Sequence, residues 1–268
     1  MATGTASRLT LRFIAVGYLV ALVMVPLGMI FYRTFEDGFV AFWEQVTTPA
    51  GISALNLSLI IVAIVVPLNV IFGVVTALAL ARGNFRGKRV IETVVDLPFA
   101  VSPVVVGVSL ILLWGIDGWF GGLADHGIRV IFSLPGMVIA TIFVTLPFVV
   151  REVEPVLHEI GDEQEQAAAT LGASWRQTFW RITLPAIRWG LLYGVVLTVA
   201  RSLGEFGALI VVAGGVSGES QTLTLLVHAR YIDDHNTFGA YAAATVLMGL
   251  ALLTLFLMTL LNKKREPV

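Results

Sequence analysis

The sequence predicts an all-α integral membrane protein with six transmembrane helices and both termini cytoplasmic. Three observations carry that prediction. First, 57% of the 268 residues are hydrophobic and only 13% are charged, against about 25% charged in soluble globular proteins. One soluble core of this size could not hide so much apolar surface. Second, six stretches reach the roughly 20 apolar residues needed to cross about 30 Å of hydrocarbon. Third, lysine and arginine fall overwhelmingly on one side of those stretches.

The six stretches are Phe13–Tyr32, Leu57–Ala81, Val90–Trp114, Val130–Val150, Ile187–Val212 and Phe238–Leu261. Arg8 and Arg12 precede the first as in a secretory signal. Its apolar run is too long for one, and no small-x-small cleavage site follows, so it reads as an uncleaved span. One set of connections holds Arg8, Arg12, Arg82, Arg86, Lys88, Arg89, Arg151, Arg176, Arg181, Arg188, Lys263, Lys264 and Arg265. The opposite set holds Arg33, Arg129 and Arg230, and Arg201 lies inside a span. Thirteen against three places the first set in the cytoplasm. The outer loops are net acidic, through residues such as Glu36, Asp37, Asp117, Asp233 and Asp234. They would repel a free anion, so an anionic cargo would have to be delivered by another protein.

Several function classes drop out. The chain has no cysteine and its four histidines lack ligand spacing, which argues against thiolate chemistry and a histidine metal cluster. A net charge of −1 argues against a strongly basic nucleic-acid binder. Gly83 to Lys88 partly matches a phosphate-binding loop. It has three residues between its glycines instead of four, and Arg89 where magnesium needs Ser or Thr. The chain is therefore expected to hold no cofactor of its own. Gly215-Val-Ser217-Gly218 offers a serine without a base in reach, and reads as a turn.

Proline punctuates the spans, and its density in Asp96-Leu-Pro-Phe-Ala-Val-Ser-Pro103 suggests a broken helix bordering a cavity. The 151–188 loop is the one long cytoplasmic connection between spans. Asp162 and Glu165 have capping-box spacing. Strong helix formers then run from Gln164 to Leu171, and Gly172 supplies a left-handed stop. Ser174 caps a second helix that Pro185 should end or kink. The first helix is acidic, like the leaflet it would lie beside, and its alanine face offers little area to lipid. A protein-docking helix is favoured over one resting on the bilayer.

In that loop, Gln166-Ala167-Ala168, Gly172, Ile182, Leu184 and Pro185 match the register of E-A-A, three residues, Gly, nine residues, Ile-x-Leu-Pro. The pattern resembles the membrane subunits of binding-protein-dependent ABC importers, with Gln166 where the family usually has glutamate and Glu165 one residue earlier. The segments RGNFRGKR (82–89), DLPFAVSPVVVG (96–107), FVTLPFVVRE (143–152) and RWGLLYGVVLTVARSLGEFGA (188–208) are similar to sulfate/thiosulfate permease subunits, more to the CysW type than to the CysT type. Molybdate permeases share the R-x-L-G-E-F-G element, and Val199 stands where sulfate permeases often have asparagine. The molybdate/tungstate branch therefore stays open as the alternative cargo.

The resemblance implies a type I ABC importer permease fold in a bacterial inner membrane. It implies a transport subunit rather than an enzyme, with a core over 53–258, an added N-terminal helix and outer loop over 1–52, and a cytoplasmic tail over 259–268. Its implied partners are a second permease subunit of the CysT type, two copies of an ABC ATPase that bind ATP and magnesium, an extracytoplasmic oxyanion-binding protein and the lipid bilayer. Glu165, Gln166, Ala167, Ala168, Gly172, Leu184 and Pro185 would then couple to the ATPase.

Gly194, Thr198, Arg201, Ser202 and Glu205 recur at helical spacing and make one polar stripe in the fifth span. A charge at mid-bilayer costs at least ~2.5–3.5 kcal/mol, so the stripe must face protein or water. Two roles fit it. Arg201 and Glu205 can be a structural pair, or Arg201 can face a tetrahedral dianion while Thr198 and Ser202 donate hydrogen bonds. An ion-driven carrier working alone, with Arg201, Glu205, Glu92 and Asp96 as a proton relay, is the remaining alternative; it leaves the long loop without a task.

Overall fold

The computed structural model describes residues 5–263; Lys264 and Arg265 lie outside the described residues. No strand occurs among those described. Among the described residues, five helices are long and apolar enough to cross a membrane: α1 (Thr10–Phe35), α3 (Pro49–Arg82), α6 (Leu134–Ile160), α8 (Trp175–Leu203) and α11 (Thr237–Lys263). Between α1 and α3 lies the short α2 (Phe39–Val46). The third span is not one helix. It divides into α4 (Lys88–Ala100) and α5 (Pro103–Trp114), bent by 113° at Val101 and Ser102. Six spans result if the bent pair counts as one, and the break falls in the proline-dense segment. Pro103 cannot donate to the ladder and drives the residue before it out of the helical region, and Ser102 has ψ 133°.

Several boundaries differ from the hydropathy reading: the helices expected from Leu57 and Ile187 start at Pro49 and Trp175. The helix expected over 130–150 begins at Leu134 and runs on to Ile160, because helical hydrogen bonding does not stop where apolarity does. The fifth span stops at Leu203. Gly204 and the following turn separate α8 from the short α9 (Leu209–Val212), so 187–212 is not continuous. Two of the prolines in the spans follow wide turns. The helix is π-wound over Val20–Met24 just before Pro26 and over Phe179–Thr183 just before Pro185. A proline ring collides with the carbonyl four residues back; here those are Leu22 and Arg181, both inside the widened turn. Pro185 therefore neither ends nor breaks α8.

α3, α6 and α8 pack most closely. Small residues permit the approach: a Cβ added at Gly73 of α3 would lie 2.6 Å from the Val149 side chain, and one at Gly194 of α8 would lie 3.0 Å from the Val149 Cα. At the arginine-rich end these helices share a core of Ala77, Leu80, Val150, Val153, Leu157 and Ile187. Farther along the α3–α6 pair, Asn69 of α3 is fully buried and donates to Thr145 Oγ1 on α6 at 2.6 Å. α1 is held mainly by α11, where Thr34 and Thr245 hydroxyls meet at 2.8 Å. The rest of α1 displays apolar side chains such as Phe13, Leu22 and Phe31.

At the other end, α10 (Leu223–His228) passes into a wide turn, Ala229–Asp233. Its Arg230 is 5% exposed and donates to the carbonyls of Gly239 and Gln45 and to Thr48 Oγ1. Burial pushes its guanidinium pKa down, against the pull of Asp234. This arginine fastens its own turn to the end of α2, to the residue before α3 and to the first turn of α11, and is not a loose surface charge.

Candidate functional site

The 151–188 loop folds into α7 (Glu163–Thr170), a sharp turn and the start of α8. Gly172 has φ +85°. Its N–H donates to the Ala169 carbonyl and the Ala173 N–H donates to Ala168, both at 3.0 Å. This pair of bonds is the Schellman closure of a helix end. Ser174 then starts the next helix with a reciprocal capping box to Gln177.

The box expected between Asp162 and Glu165 does not form; Asp162 makes no side-chain cap. Gln166 Nε2 donates to Asp162 Oδ2 at 2.8 Å, a contact that glutamate at this position would turn into repulsion between like charges. The Glu165 carboxylate accepts from Arg82 and Thr183 within the chain. Leu184 is half-buried against the core, whereas Pro185 is exposed.

Gln166 and Ala167 are exposed and Ala168 is half-buried. Beside them stand two residues the loop pattern does not include, Leu171 at 89% and Trp175 at 76% exposure. Leu171 and Gly172 border a groove of about 310 Å³ that also takes in Gln177, Thr178 and Arg181. An apolar tip of this kind on an acidic helix suits a protein partner. The signal for it was present in the sequence, since two large apolar residues, Leu171 and Trp175, flank a helix-stopping glycine.

The fifth-span stripe is partly redrawn. Gly194, Thr198, Arg201 and Ser202 share α8, but Glu205 lies beyond its end. Thr198 is buried and spends its hydroxyl proton on the Gly194 carbonyl at 2.7 Å, so it has no proton to donate to a ligand. Glu205 is fully buried and its Oε1 accepts the Ala208 N–H at 2.8 Å, capping the turn into α9. Arg201 Nη1 lies 2.7 Å from Glu205 Oε2, an ion pair by distance that lacks hydrogen-bond alignment. The arginine side chain stays 32% exposed. The buried Ser202 Oγ has no hydrogen-bond partner among the described residues. Asp96 pairs instead with Arg151 of α6, apart from any relay with Arg201.

The family model for "Binding-protein-dependent transport system inner membrane component" matches residues 69–267. The chain is 49% identical to the sulfate transport system permease protein CysW of Synechocystis over 252 residues, covering 94% of this chain and 91% of that one. It is 44% identical to CysW of Escherichia coli K12 over 256 residues, covering 94% and 88%. Among solved structures, a bacterial ABC transporter involved in alginate import superposes with a TM-score of 0.80 at 16% identity, covering 96% of this chain and 95% of that chain; at that identity the likeness concerns the fold. This chain belongs to the family of binding-protein-dependent transport system inner membrane components.

Proposed function

We propose that the chain is one membrane half of an ATP-driven sulfate importer. The observation that carries this reading is the 163–178 turn, whose Leu171 and Trp175 stay largely exposed, Trp175 with a local stack on Phe179, while its underside is pinned to the bundle. Sulfate as the cargo is supported by the identity with sulfate permeases of the CysW type. The expected partners are a CysT-type permease, two copies of an ABC ATPase supplying ATP and magnesium, and an extracytoplasmic binding protein. With 151–188 in the cytoplasm, ATPase closure would move α7, and α3, α6 and α8 would follow as one packed unit. That movement would alternate access to a path between the two permeases. Arg201, with its exposed flank and the unpartnered Ser202 beside it, would offer the passing dianion positive charge and a hydroxyl.

The test is reconstitution of the four components in vesicles, with uptake of sulfate, thiosulfate and molybdate measured in parallel. ATP-dependent sulfate uptake requiring the binding protein is expected. Uptake by this chain without an ATPase would overturn the importer reading, and exclusive molybdate uptake would overturn the cargo.

A further inference from the structure

We propose that Arg82, Glu165 and Thr183 form a tether that transmits movement of α7 into the membrane bundle. The inference rests on the docking role given above to the 163–178 turn. Arg82 is the last residue of α3, and its guanidinium serves two elements at once. Nε donates to Glu165 Oε2 on α7 at 3.0 Å. Nη1 donates to the Leu157 carbonyl at 2.8 Å, and Nη2 donates to the Gly161 carbonyl.

Those carbonyls close the end of α6, where four groups otherwise lack helical donors and the helix dipole favours a cation. The other Glu165 oxygen accepts from Thr183 Oγ1 at 2.8 Å, and Thr183 is buried in the wide turn of α8. One carboxylate thus links α7 to the end of α3 and to the wide turn of α8, and through the Arg82 guanidinium to the end of α6.

The chain itself provides little stiffness here. α7 follows α6 through two non-helical residues, Gly161 at φ +64° and ψ −171° and Asp162 at φ −114° and ψ 4°, about which a helix of eight residues could pivot. The tether replaces that pivot with charge-assisted bonds from side chains only about a fifth exposed. Directly behind it, Leu80, Leu157 and Ile187 of the same three helices share one core. A pull on α7 therefore reaches all three together. These are positioning residues: none faces the partner side of the turn or the polar stripe.

The experiment uses the full importer, comparing Thr183→Val, Arg82→Gln, Glu165→Gln and the double Arg82→Gln/Glu165→Gln variant. It records copurified ATPase, basal hydrolysis and stimulation by sulfate-loaded binding protein. Thr183→Val keeps volume and removes one bond, so copurification and basal hydrolysis should stay at the wild-type level while stimulation falls. Arg82→Gln should lose about fivefold or more of the stimulation, the lower end of ordinary coupling between sites. The double variant should be no worse than its worse single, because both act through one pair. Unchanged stimulation in every variant, or losses that multiply in the double, would overturn the tether. Loss of the ATPase from the Thr183→Val complex would overturn it too, by placing the network in docking. Failure of the unaltered chain to retain the ATPase would instead remove the docking reading on which the tether rests.

Discussion

Replacing Gly172 with valine tests the docking turn by backbone geometry alone. At φ +85° nothing lies within 4 Å of where a Cβ would stand, so no steric clash with a neighbour enters. The cost is that of forcing an L-residue left-handed, about 1–2 kcal/mol, and more for a side chain branched at Cβ. The strained residue would leave this conformation, and the bonds from Gly172 to Ala169 and from Ala173 to Ala168 would open with it. Leu171 and Trp175 would no longer sit at a fixed spacing. If the closed turn is the binding-competent form, affinity falls in proportion to its population, by roughly 5- to 30-fold for 1–2 kcal/mol. The assay is a titration of purified ATPase onto the permease in lipid nanodiscs. Gly172→Asn, which tolerates the left-handed region, should recover most of the loss. A valine variant that binds within about twofold of the parent would refute the reasoning, since the conformation would then not matter.

Leu171→Ser should weaken ATPase binding by about 1.5–3 kcal/mol, the worth of burying one leucine, with unchanged yield of the folded chain; equal affinity in the same titration would remove Leu171 from the interface. Arg201→Met should destabilise the chain by ~3–5 kcal/mol, because the fully buried Glu205 is left charged and unpaired. Glu205→Gln should cost less, since the partly exposed arginine keeps water. The double variant should regain thermal stability in detergent yet still import sulfate poorly, and full uptake would leave Arg201 as a structural residue. For orientation, a cysteine at Ala169 should resist impermeant thiol reagents in intact cells, and one at Ser217 should react; both positions are exposed, whereas Ser220 beside the latter is buried. The opposite labelling would invert the topology.

Local signals survived the passage from sequence to structure, and distant pairings did not. Gly172, the Ser174 cap and the proline-dense break near Ser102 all act within a few residues, where backbone sterics and capping decide the outcome. Asp162 and Glu165 satisfied the same local rule, yet Glu165 was taken by Arg82, 83 residues away, and by Thr183. A charge-assisted bond to an enclosed arginine outcompetes a solvent-exposed cap. Hydropathy located the spans but could not see that α6 continues past Val150 or that α8 stops at Gly204. Helical spacing put Glu205 on the stripe, but the turn after Gly204 placed it there by a different route. Asn69 drew no notice in the sequence, because a lone asparagine in an apolar run has no local partner to announce it.

The loop divides its tasks among residues of different chemistry. Ala168, Ala169 and Gly172 have almost no side chain to bury, so they contribute shape: the carbonyls and N–H groups they expose close the turn. Leu171 and Trp175 carry the apolar area, and large exposed groups at the centre of an interface are where binding energy concentrates. Arg82, Glu165 and Thr183 lie beneath and face the bundle. Substitutions in the first set should change whether the turn exists, those in the second how tightly it is held, and those in the third how far its movement travels. Under the proposed docking role, the alanines and the glycine of the loop pattern would set the mould of the surface, while residues outside the pattern, Leu171 and Trp175 beside it and Arg82 far from it in sequence, would grip and transmit.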